Sequence, residues 1–259
     1  MITTRTAGSR LWLINSEELE QRILSCLARY GAMHEAVIYG FVLMGNHYHL
    51  LASFPRRNRA LFMRDFNSSV ARIVGRYVDE HGRRSVWARR YSYQVLTRDE
   101  DLFHWFMYVA LNPVSSGIVD RARAYPGYNS FFDAVSGTRR TYRWIEWSKF
   151  LMKSRHDDSL SPDDFAIEYD LEYTRLPGYQ HLSAAKYQAT LTQVLEEREA
   201  DLRKARLSSG KGFLGLKRLR LQRPGQVPKS TKTSTRDSFR PLILTLCSVA
   251  KRQFLALYF

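Results

Sequence analysis

The stretch AVIYGFVLMGNHYHLLASF at residues 36–54 decides the fold of this chain. Two apolar runs flank the short polar turn at residues 44–46, and this pattern predicts a β-hairpin. Side chains alternate between the two faces of a strand, so His47 and His49 point one way and Tyr48 points the other way. Neutral imidazoles fixed at this spacing can bind a divalent metal. The alternative is a pair of polar residues on a solvated strand face.

The overall charge indicates a polyanionic partner. Among 259 residues there are 40 Lys and Arg against 25 Asp and Glu, a net charge of +15, and nucleic acid is the commonest partner of such a surface. No stretch approaches the roughly 20 apolar residues of a membrane-spanning helix, and residues 1–6 lack the apolar part of a signal peptide. Cys26 and Cys247 are too few for a disulfide framework. We therefore expect a cytoplasmic, nucleoid-associated protein that acts on DNA or RNA.

The elements around the hairpin follow a β-α-β-β-α-β order. This order predicts an α+β fold, with a ferredoxin-like split βαβ core built on an antiparallel sheet with helices. The first strand begins almost at Met1, which is shorter than expected for such a sheet. The remaining signals are β-prone pieces at 2–6 and 11–14, a helix capped by Asn15 or Ser16, a helix after Pro55, and strand-like alternation at 87–96.

A third helix follows this core and carries a second group of polar residues. A capping-box pattern at residues 97–100 predicts its start, and Pro113 predicts its end near Asn112. Tyr108 and Asn112 are four residues apart and share a face away from the predicted core stripe. The alternative is that Tyr108 is a half-buried surface aromatic residue and Asn112 only a helix stop. The core stripe consists of Phe103, Phe106, Met107 and Ala110.

Taken together, these motifs resemble a known family. The residues that carry the resemblance are VLMGNHYHLL at 42–51, FMRDFN at 62–67, YVALNPVSSG at 108–117 and YPGYNS at 125–130. In this order they are similar to the REP-associated tyrosine transposases, which are relatives of the single-tyrosine HUH transposases of small insertion sequences. The resemblance covers about residues 1–150.

The resemblance implies a site and a reaction. His47 and His49 would be the metal ligands of the HUH motif, Tyr108 the nucleophile, and Asn112 the polar third ligand. The activity would be metal-dependent cleavage of single-stranded DNA at palindromic repeats, through a 5′-phosphotyrosine link, followed by strand transfer. Such an endonuclease would serve DNA recombination and transposition of a REP-type element.

The residue types that the resemblance assigns to the site permit this chemistry. Two imidazoles and an amide leave a bound Mg²⁺ or Mn²⁺ with its full charge, whereas zinc would more usually require a Cys or a third His. A tyrosine of ordinary pKa, about 10, needs the metal or a base to deprotonate it. His104 is one turn before Tyr108 and is a weak candidate for that base.

Arginines interleaved with aromatic residues predict the DNA-binding surface. Arginines neutralise phosphates, and exposed rings can stack on unpaired bases. The alternative is that Trp87 and Tyr91 belong to the core and that the arginines form a solvated rim. The predicted DNA-binding residues are Arg56, Arg57, Arg64, Arg83, Arg84, Arg89, Arg90, Trp87 and Tyr91.

Composition divides the chain into three parts. Residues 1–150 form the predicted transposase and nuclease domain, 151–210 a helical extension, and 211–259 a basic, flexible tail. Residues 203–240 hold twelve Lys and Arg and a single acid. The tail would contact a DNA hairpin or its flank, and the alternative is a tail that only adds solubility.

Two other functions remain open at this stage. One is a domesticated repeat-binding regulator that keeps the fold without catalysis, and the other is a metal-dependent phosphoesterase that uses water. For the transposase reading we expect single-stranded DNA with a hairpin as the partner, and a monomer in preference to a dimer. The sequence is compatible with a Tyr108 that serves its own histidines and with one that serves those of a second subunit.

Overall fold

The computed structural model of the chain describes residues 1–14, 16–82, 84–228 and 242–256. Within these ranges the strands are β1 (Ile2–Arg5), β2 (Val37–Met44), β3 (His47–Ser53), β4 (Ser92–Val95), β5 (Arg140–Ile145), β6 (Ala166–Leu171) and β7 (Leu242–Ile243). The α-helices are α1 (Glu17–Met33), α2 (Arg59–Tyr77), α3 (Asp99–Ser115), α4 (Phe131–Ser136), α5 (Trp147–Lys153), α6 (Ala184–Ser208), α7 (Gly215–Arg220) and α8 (Ser248–Ala256). No helix in the described ranges is both long and apolar enough to cross a bilayer.

The central sheet confirms the predicted fold class. Its first four strands lie in the order β2-β3-β1-β4 and pair antiparallel, which is the ferredoxin-like arrangement. The predicted hairpin is present, with Met44 opposite His47 across the turn. On the other side of β3, Arg5 lies opposite His47 and Thr3 opposite His49. The histidines are therefore flanked by strands on both sides.

The two faces of this sheet are covered by different helices. Tyr48 is fully buried and its ring contacts Phe66 of α2, with the centroids 5.4 Å apart. His49 points to the opposite face and contacts Tyr108 of α3. The period-2 alternation of β3 thus separates an apolar face, shared with α1 and α2, from the histidine face under α3.

Helix α3 differs from the prediction at both ends. It begins at Asp99 after Arg98, which makes no side-chain cap, so the predicted capping box is absent; Glu100 pairs with Arg98 at 3.1 Å instead. The helix also continues through Pro113 to Ser115. A proline removes only its own N–H donor, and the buried Val114 anchors the last turn against the core.

Two segments predicted as strands are shorter or absent. Strand β4 covers only Ser92–Val95, while Trp87 forms an isolated bridge with Thr6. Residues 11–14 form a loop instead of a strand. This loop binds the β2–β3 turn, because the Leu13 N–H donates to the Gly45 carbonyl at 2.9 Å. Its apolar side chains are buried against the core, which explains the strand-like pattern.

Both outer strands of the ferredoxin-like sheet carry added segments. The Leu43 N–H donates to the Tyr128 carbonyl at 2.9 Å, and the Ser130 N–H donates to the Phe41 carbonyl at 2.9 Å, so residues 128–130 cover the edge of β2. On the other side, β7 pairs parallel with β4. This fifth, parallel strand was not predicted, since its apolar residues gave no pairing signal.

The carboxy-terminal third is more structured than the sequence indicates. Residues 151–210 include β6, which pairs antiparallel with β5 and packs on α1, so this extension is not purely helical. Helix α6 begins after Ser183, as expected, and packs on α3 and α4. Residues 211–228, placed by prediction in a flexible tail, contain α7 and hydrogen bond to the core. Of the predicted tail, residues 229–241 and 257–259 lie outside the described residues.

Candidate active site

The histidine pair lies at the centre of the site, between β3 and α3. The two imidazole rings are 5.0 Å apart between centroids and nearly perpendicular. Each ring is oriented through Nδ1, which lies 2.7 Å from Asn46 Oδ1 in His47 and 2.8 Å from Thr3 Oγ1 in His49. The Asn46 oxygen can only accept, which places a proton on His47 Nδ1, whereas the Thr3 hydroxyl can donate or accept; both partners hold the rings by Nδ1. Nε2 is therefore the nitrogen with which each histidine would bind a metal.

The electrostatics keep His49 neutral. Desolvation by burial lowers the pKa of His49 well below its usual value of 6.5, and the nearby His47 and Arg5 lower it further. A neutral imidazole has the lone pair that a metal ligand requires. His49 is thus in the ligand form over the physiological pH range.

Tyr108 lies directly against the histidine pair in the same chain. Its ring centroid is 5.4 Å from that of His49 and 5.0 Å from that of Trp105. The residue keeps 37% of its exposure, although it packs against both rings. Partial burial raises the pKa of Tyr108 above 10, and the positive charge of Arg5 opposes this shift.

Asn112 follows Tyr108 by one helical turn and is almost fully buried. Only 4% of the residue is exposed, and its Oδ1 atom has no hydrogen-bond partner within the described part of the chain. A buried amide oxygen without a partner is costly. Bonding to a cation would remove this cost, so the residue fits the role of an oxygen ligand.

The donor set decides which metal the residues fit. Among the described residues, no group of three or more His, Cys, Asp or Glu could hold a metal. The candidate donors are His47, His49 and the Asn112 oxygen, a set without a carboxylate or a thiolate. Such a set suits Mg²⁺ or Mn²⁺ when phosphate and water supply the remaining oxygens, and it is a poor match for structural zinc.

Arg5 belongs to the site although the sequence analysis did not single it out. It lies opposite His47 in the register, so both side chains project from the same face of the sheet. Within the described residues it makes no ion pair. Desolvation by burial lowers the pKa of Arg5, and the proximity of Tyr108 raises it. The site therefore contains a half-buried cation that forms no ion pair with any carboxylate of the described residues.

The other two residues that sequence reasoning missed support the histidines. Asn46 was assigned only to the turn, yet its side chain bridges His47 Nδ1 and the Ser9 carbonyl. Thr3 was assigned only to a β-prone piece. The period-2 alternation of β1 could have indicated Thr3 and Arg5 from the sequence, since it places both side chains on one face of the sheet.

His104, the weak candidate for the base, packs against Trp105. His104 contacts the Trp105 ring, with centroids 5.3 Å apart, and burial lowers the pKa of His104. Among the described residues, the ring contacts of Tyr108 are with His49 and Trp105. The structure therefore does not bring His104 onto the Tyr108 ring.

The predicted DNA-binding arginines divide into two groups. The Ala88 N–H donates to the Arg5 carbonyl at 3.0 Å, which holds the exposed Arg84, Arg89 and Arg90 at the histidine end of β1. Arg83 lies outside the described residues. The second group is remote: Arg56 and Arg57 follow the far end of β3, about 20 Å from His47 at about 3.3 Å per residue, and Arg64 lies on α2, which packs on the opposite face. Two of these remote arginines form ion pairs, Arg56 with Glu35 and Arg64 with Asp65.

The two predicted stacking residues also differ from each other. Trp87 donates its Nε1–H to the Asn67 carbonyl at 2.9 Å and contacts the Tyr48 ring, so it is part of the fold. Tyr91 is partly exposed and lies 6.3 Å from Tyr93 between ring centroids. An unforeseen feature is the Arg59 guanidinium, which stacks on Tyr93 at 3.4 Å from the ring centroid. Of the two predicted residues, Tyr91 is the better placed to stack on a base.

Comparison with known proteins agrees with this arrangement. Residues 6–110 match the sequence profile of the family described as "Transposase IS200 like", a segment that contains His47, His49 and Tyr108. A solved structure of a REP-associated tyrosine transposase bound to a REP hairpin is similar to this chain at 17% identity, with a TM-score of 0.42, over 50% of this chain and 74% of that chain. A search of curated proteins gave no match. The resemblance carried by the hairpin and by α3 is thus confirmed: residues 6–110 are similar to the IS200-like transposases.

Proposed function

We propose that the protein is a metal-dependent, single-tyrosine DNA endonuclease and strand transferase. The observation that carries this proposal is the contact between Tyr108 and His49 in one chain, one helical turn from the unpartnered Asn112 oxygen. A transposase-family domain alone would be compatible with several activities. A partly exposed tyrosine against a histidine pair, of which His49 is neutral, favours covalent catalysis by tyrosine.

The residues of the chain account for the steps of such a reaction. The Tyr108 oxygen attacks the scissile phosphorus, its proton passes to solvent, and the bond from phosphorus to the 3′ oxygen breaks. The products are a 5′-phosphotyrosine and a 3′-hydroxyl, which takes up a proton. Arg5, as a permanent cation beside the phenol, favours both the phenolate and the charge that develops on the phosphate.

The remaining residues would position these groups. Thr3 and Asn46 hold the two imidazoles by their Nδ1 atoms. His47, His49 and Asn112 would hold Mg²⁺ or Mn²⁺, which when bound supplies Lewis-acid stabilisation of the phosphate. Because the phosphodiester energy is retained in the phosphotyrosine, a second 3′-hydroxyl can reverse the step and receive the strand. No nucleotide cofactor is needed.

The substrate class follows from charge and from the motif resemblance. A net charge of +15 and the exposed Arg84, Arg89 and Arg90 at the histidine end favour DNA as the partner. The motif resemblance points to single-stranded DNA that folds into a palindromic hairpin, acted on in the cytoplasm at the nucleoid. Since one chain supplies both histidines and the tyrosine, we favour a monomer as the working unit.

The test uses labelled DNA and one conservative variant. End-labelled single-stranded oligonucleotides that carry palindromic repeats from the DNA around the gene are incubated with wild type or Tyr108→Phe. Mn²⁺, Mg²⁺ or a chelator is added, and the products are separated on a denaturing protein gel. We expect a covalent adduct that requires metal and is absent from the variant.

Two other results would favour the alternative functions. Cleavage that persists in Tyr108→Phe would identify a phosphoesterase that uses water. Binding of the hairpin without cleavage, by wild type in every metal, would identify a repeat-binding regulator.

A further inference from the structure

A short basic segment of the carboxy-terminal third is fastened beside the candidate active site. We name residues 213–226 the strap. At its first end, the Leu214 N–H donates to the Gly117 carbonyl at 2.8 Å and the Gly215 N–H donates to the Ile118 carbonyl at 3.0 Å. Gly117 and Ile118 directly follow α3, the helix that carries Tyr108 and Asn112. The strap therefore starts at the Asn112 end of that helix.

The second end of the strap is fastened to the loop before α1. The Gly225 N–H donates to the Leu11 carbonyl at 3.2 Å, and the Leu11 N–H donates to the Gln226 carbonyl at 2.9 Å. Arg10 also donates to the Gly225 carbonyl at 2.9 Å. Gly225 has a φ of 76° and sits so close to Trp12 that a Cβ atom there would lie 2.7 Å from the ring. This close approach requires glycine.

That loop is itself part of the support for the histidine hairpin. Leu13 bonds the Gly45 carbonyl, and the Asn46 side chain, which holds His47, donates to the Ser9 carbonyl at 3.1 Å. The strap thus runs from the end of the helix that carries Asn112 to the loop behind His47. Both anchors of the strap therefore lie on segments that carry or support residues of the candidate active site.

The outward surface of the strap is strongly basic. Lys217, Arg218, Arg220 and Arg223 are exposed, and none of them forms an ion pair with any residue in the described ranges. The sequence has no Asp or Glu from residue 202 to residue 228. Four cations within seven residues repel one another, and only a polyanion or salt relieves this repulsion.

We propose that the strap binds the phosphodiester backbone of the DNA strand that enters or leaves the candidate active site. Both ends are fixed, so the cations are held in place before DNA binds and little ordering entropy opposes the contact. Guanidinium groups suit phosphate oxygens in particular. The proposal rests on the proposed function for its choice of DNA, and it replaces the idea of a flexible tail with a preformed contact surface.

The test measures the salt dependence of DNA binding without any cleavage. Arg218→Gln/Arg220→Gln is compared with the control Arg155→Gln/Lys186→Gln, which removes two exposed cations outside the strap. Both pairs are made in the Tyr108→Phe background. Binding of a fluorescein-labelled oligothymidylate is followed by anisotropy over a range of NaCl concentrations with chelator present. Circular dichroism and thermal unfolding check that every variant is folded.

The strap predicts a specific difference between the two pairs. Each lost phosphate contact lowers the slope of log K against log salt by about 0.7 on single strands, so the strap pair lowers it by about 1.4. The control pair leaves the slope as it is. The charge reversal Arg218→Glu/Arg220→Glu weakens binding further. Equal slopes for the strap pair and the control pair would overturn the proposal.

The outcome is separable from that of the proposed function. A lowered slope together with wild-type protein that forms no adduct would support the strap and reject the catalytic mechanism. An unchanged slope together with a metal-dependent adduct at Tyr108 would reject the strap proposal and support the catalytic mechanism.

Discussion

Tyr48 and Tyr108 occupy opposite faces of the same sheet and differ in almost every physical property. Tyr48 is fully buried, and its hydroxyl accepts from Thr4 at 2.8 Å and donates to Asn67 at 2.5 Å. Burial raises the pKa of Tyr48 far above its usual value. Tyr108 keeps 37% of its exposure and touches a neutral histidine.

The contrast extends from these two residues to their surroundings. Around Tyr48, the hydroxyl is satisfied within the protein by Thr4 and Asn67, as expected for a structural core. The face under α3 retains an unpartnered amide oxygen at Asn112 and an arginine, Arg5, without an ion pair in the described chain. Residual unpaired polarity of this kind costs stability, and it is typical of sites that bind a ligand.

The largest expected effect is that substitution of Tyr108 abolishes the DNA adduct without loss of stability, whereas substitution of Tyr48 lowers stability without loss of the adduct. Tyr108→Phe removes the nucleophile, so the covalent DNA adduct is lost, whereas the free energy of unfolding changes by less than about 0.5 kcal/mol. Tyr48→Phe removes the hydrogen bonds of the buried Thr4 hydroxyl and of the partly buried Asn67 side chain, so it costs about 1–3 kcal/mol, with the adduct retained. Urea unfolding and the adduct gel measure both quantities on both proteins. Loss of the adduct in folded Tyr48→Phe would contradict a purely structural role for Tyr48.

A second prediction concerns the unpartnered amide. Asn112→Leu removes a buried polar atom that has no partner, so the free energy of unfolding is unchanged or higher by up to about 1 kcal/mol. Adduct formation falls by about 100-fold or more, by analogy with the loss of one preorganised electrostatic contact. Thermal unfolding with and without Mn²⁺ provides the second readout: Mn²⁺ raises the Tm of wild type and not that of the variant. An equal Mn²⁺ response in both proteins would remove Asn112 from the ligand set.

The third prediction tests the uncompensated arginine. Arg5→Gln keeps the size and polarity of the side chain but removes the charge beside Tyr108. The rate of adduct formation is expected to fall by about 10- to 100-fold, below the loss for an oxyanion donor because the residue is half exposed. Arg5→Lys is the matched control and recovers part of the rate, since it restores charge without the planar fork. An unchanged rate in Arg5→Gln would show that the charge of Arg5 does not contribute to adduct formation.

The smallest expected effect concerns the partner of His49. Thr3→Val removes the hydroxyl that contacts Nδ1 and keeps the β-branched shape. Loss of such an orienting partner lowers metal affinity by about 10-fold, the low end of the range for outer partners of a ligand. Titration of the adduct yield against Mn²⁺ concentration measures this shift. The same substitution at Thr4 lies on the Tyr48 face and leaves the Mn²⁺ dependence unchanged.

The sequence predicts those parts of the molecule that depend on local pattern. The alternation of β3 separates His47 and His49 from Tyr48, and the i, i+4 spacing puts Tyr108 and Asn112 one turn apart. The ferredoxin-like order of elements is confirmed as well. Each of these follows from the period of a strand or a helix.

The parts that could not be predicted depend on contacts between distant segments. The position of Arg5 beside Tyr108 requires the register of β1 against β3, which no short pattern specifies. Trp87 has the composition of a stacking residue, and only its hydrogen bond to Asn67 reveals a packing role. The sequence of the strap predicts a flexible tail because glycines and cations are typical of loops. In the structure, hydrogen bonds to Gly117 and Leu11 hold the strap in place.

The covered edges of the central sheet bear on how the protein behaves when it is shortened. An uncovered edge strand offers free N–H and C=O groups to any other strand, which is a common start of aggregation. Here residues 128–130 occupy the edge of β2 and β7 occupies the edge of β4. A chain cut before residue 242 would keep every candidate catalytic residue but would expose the edge of β4. We therefore expect the shortened chain to aggregate more readily, independently of any change in its chemistry.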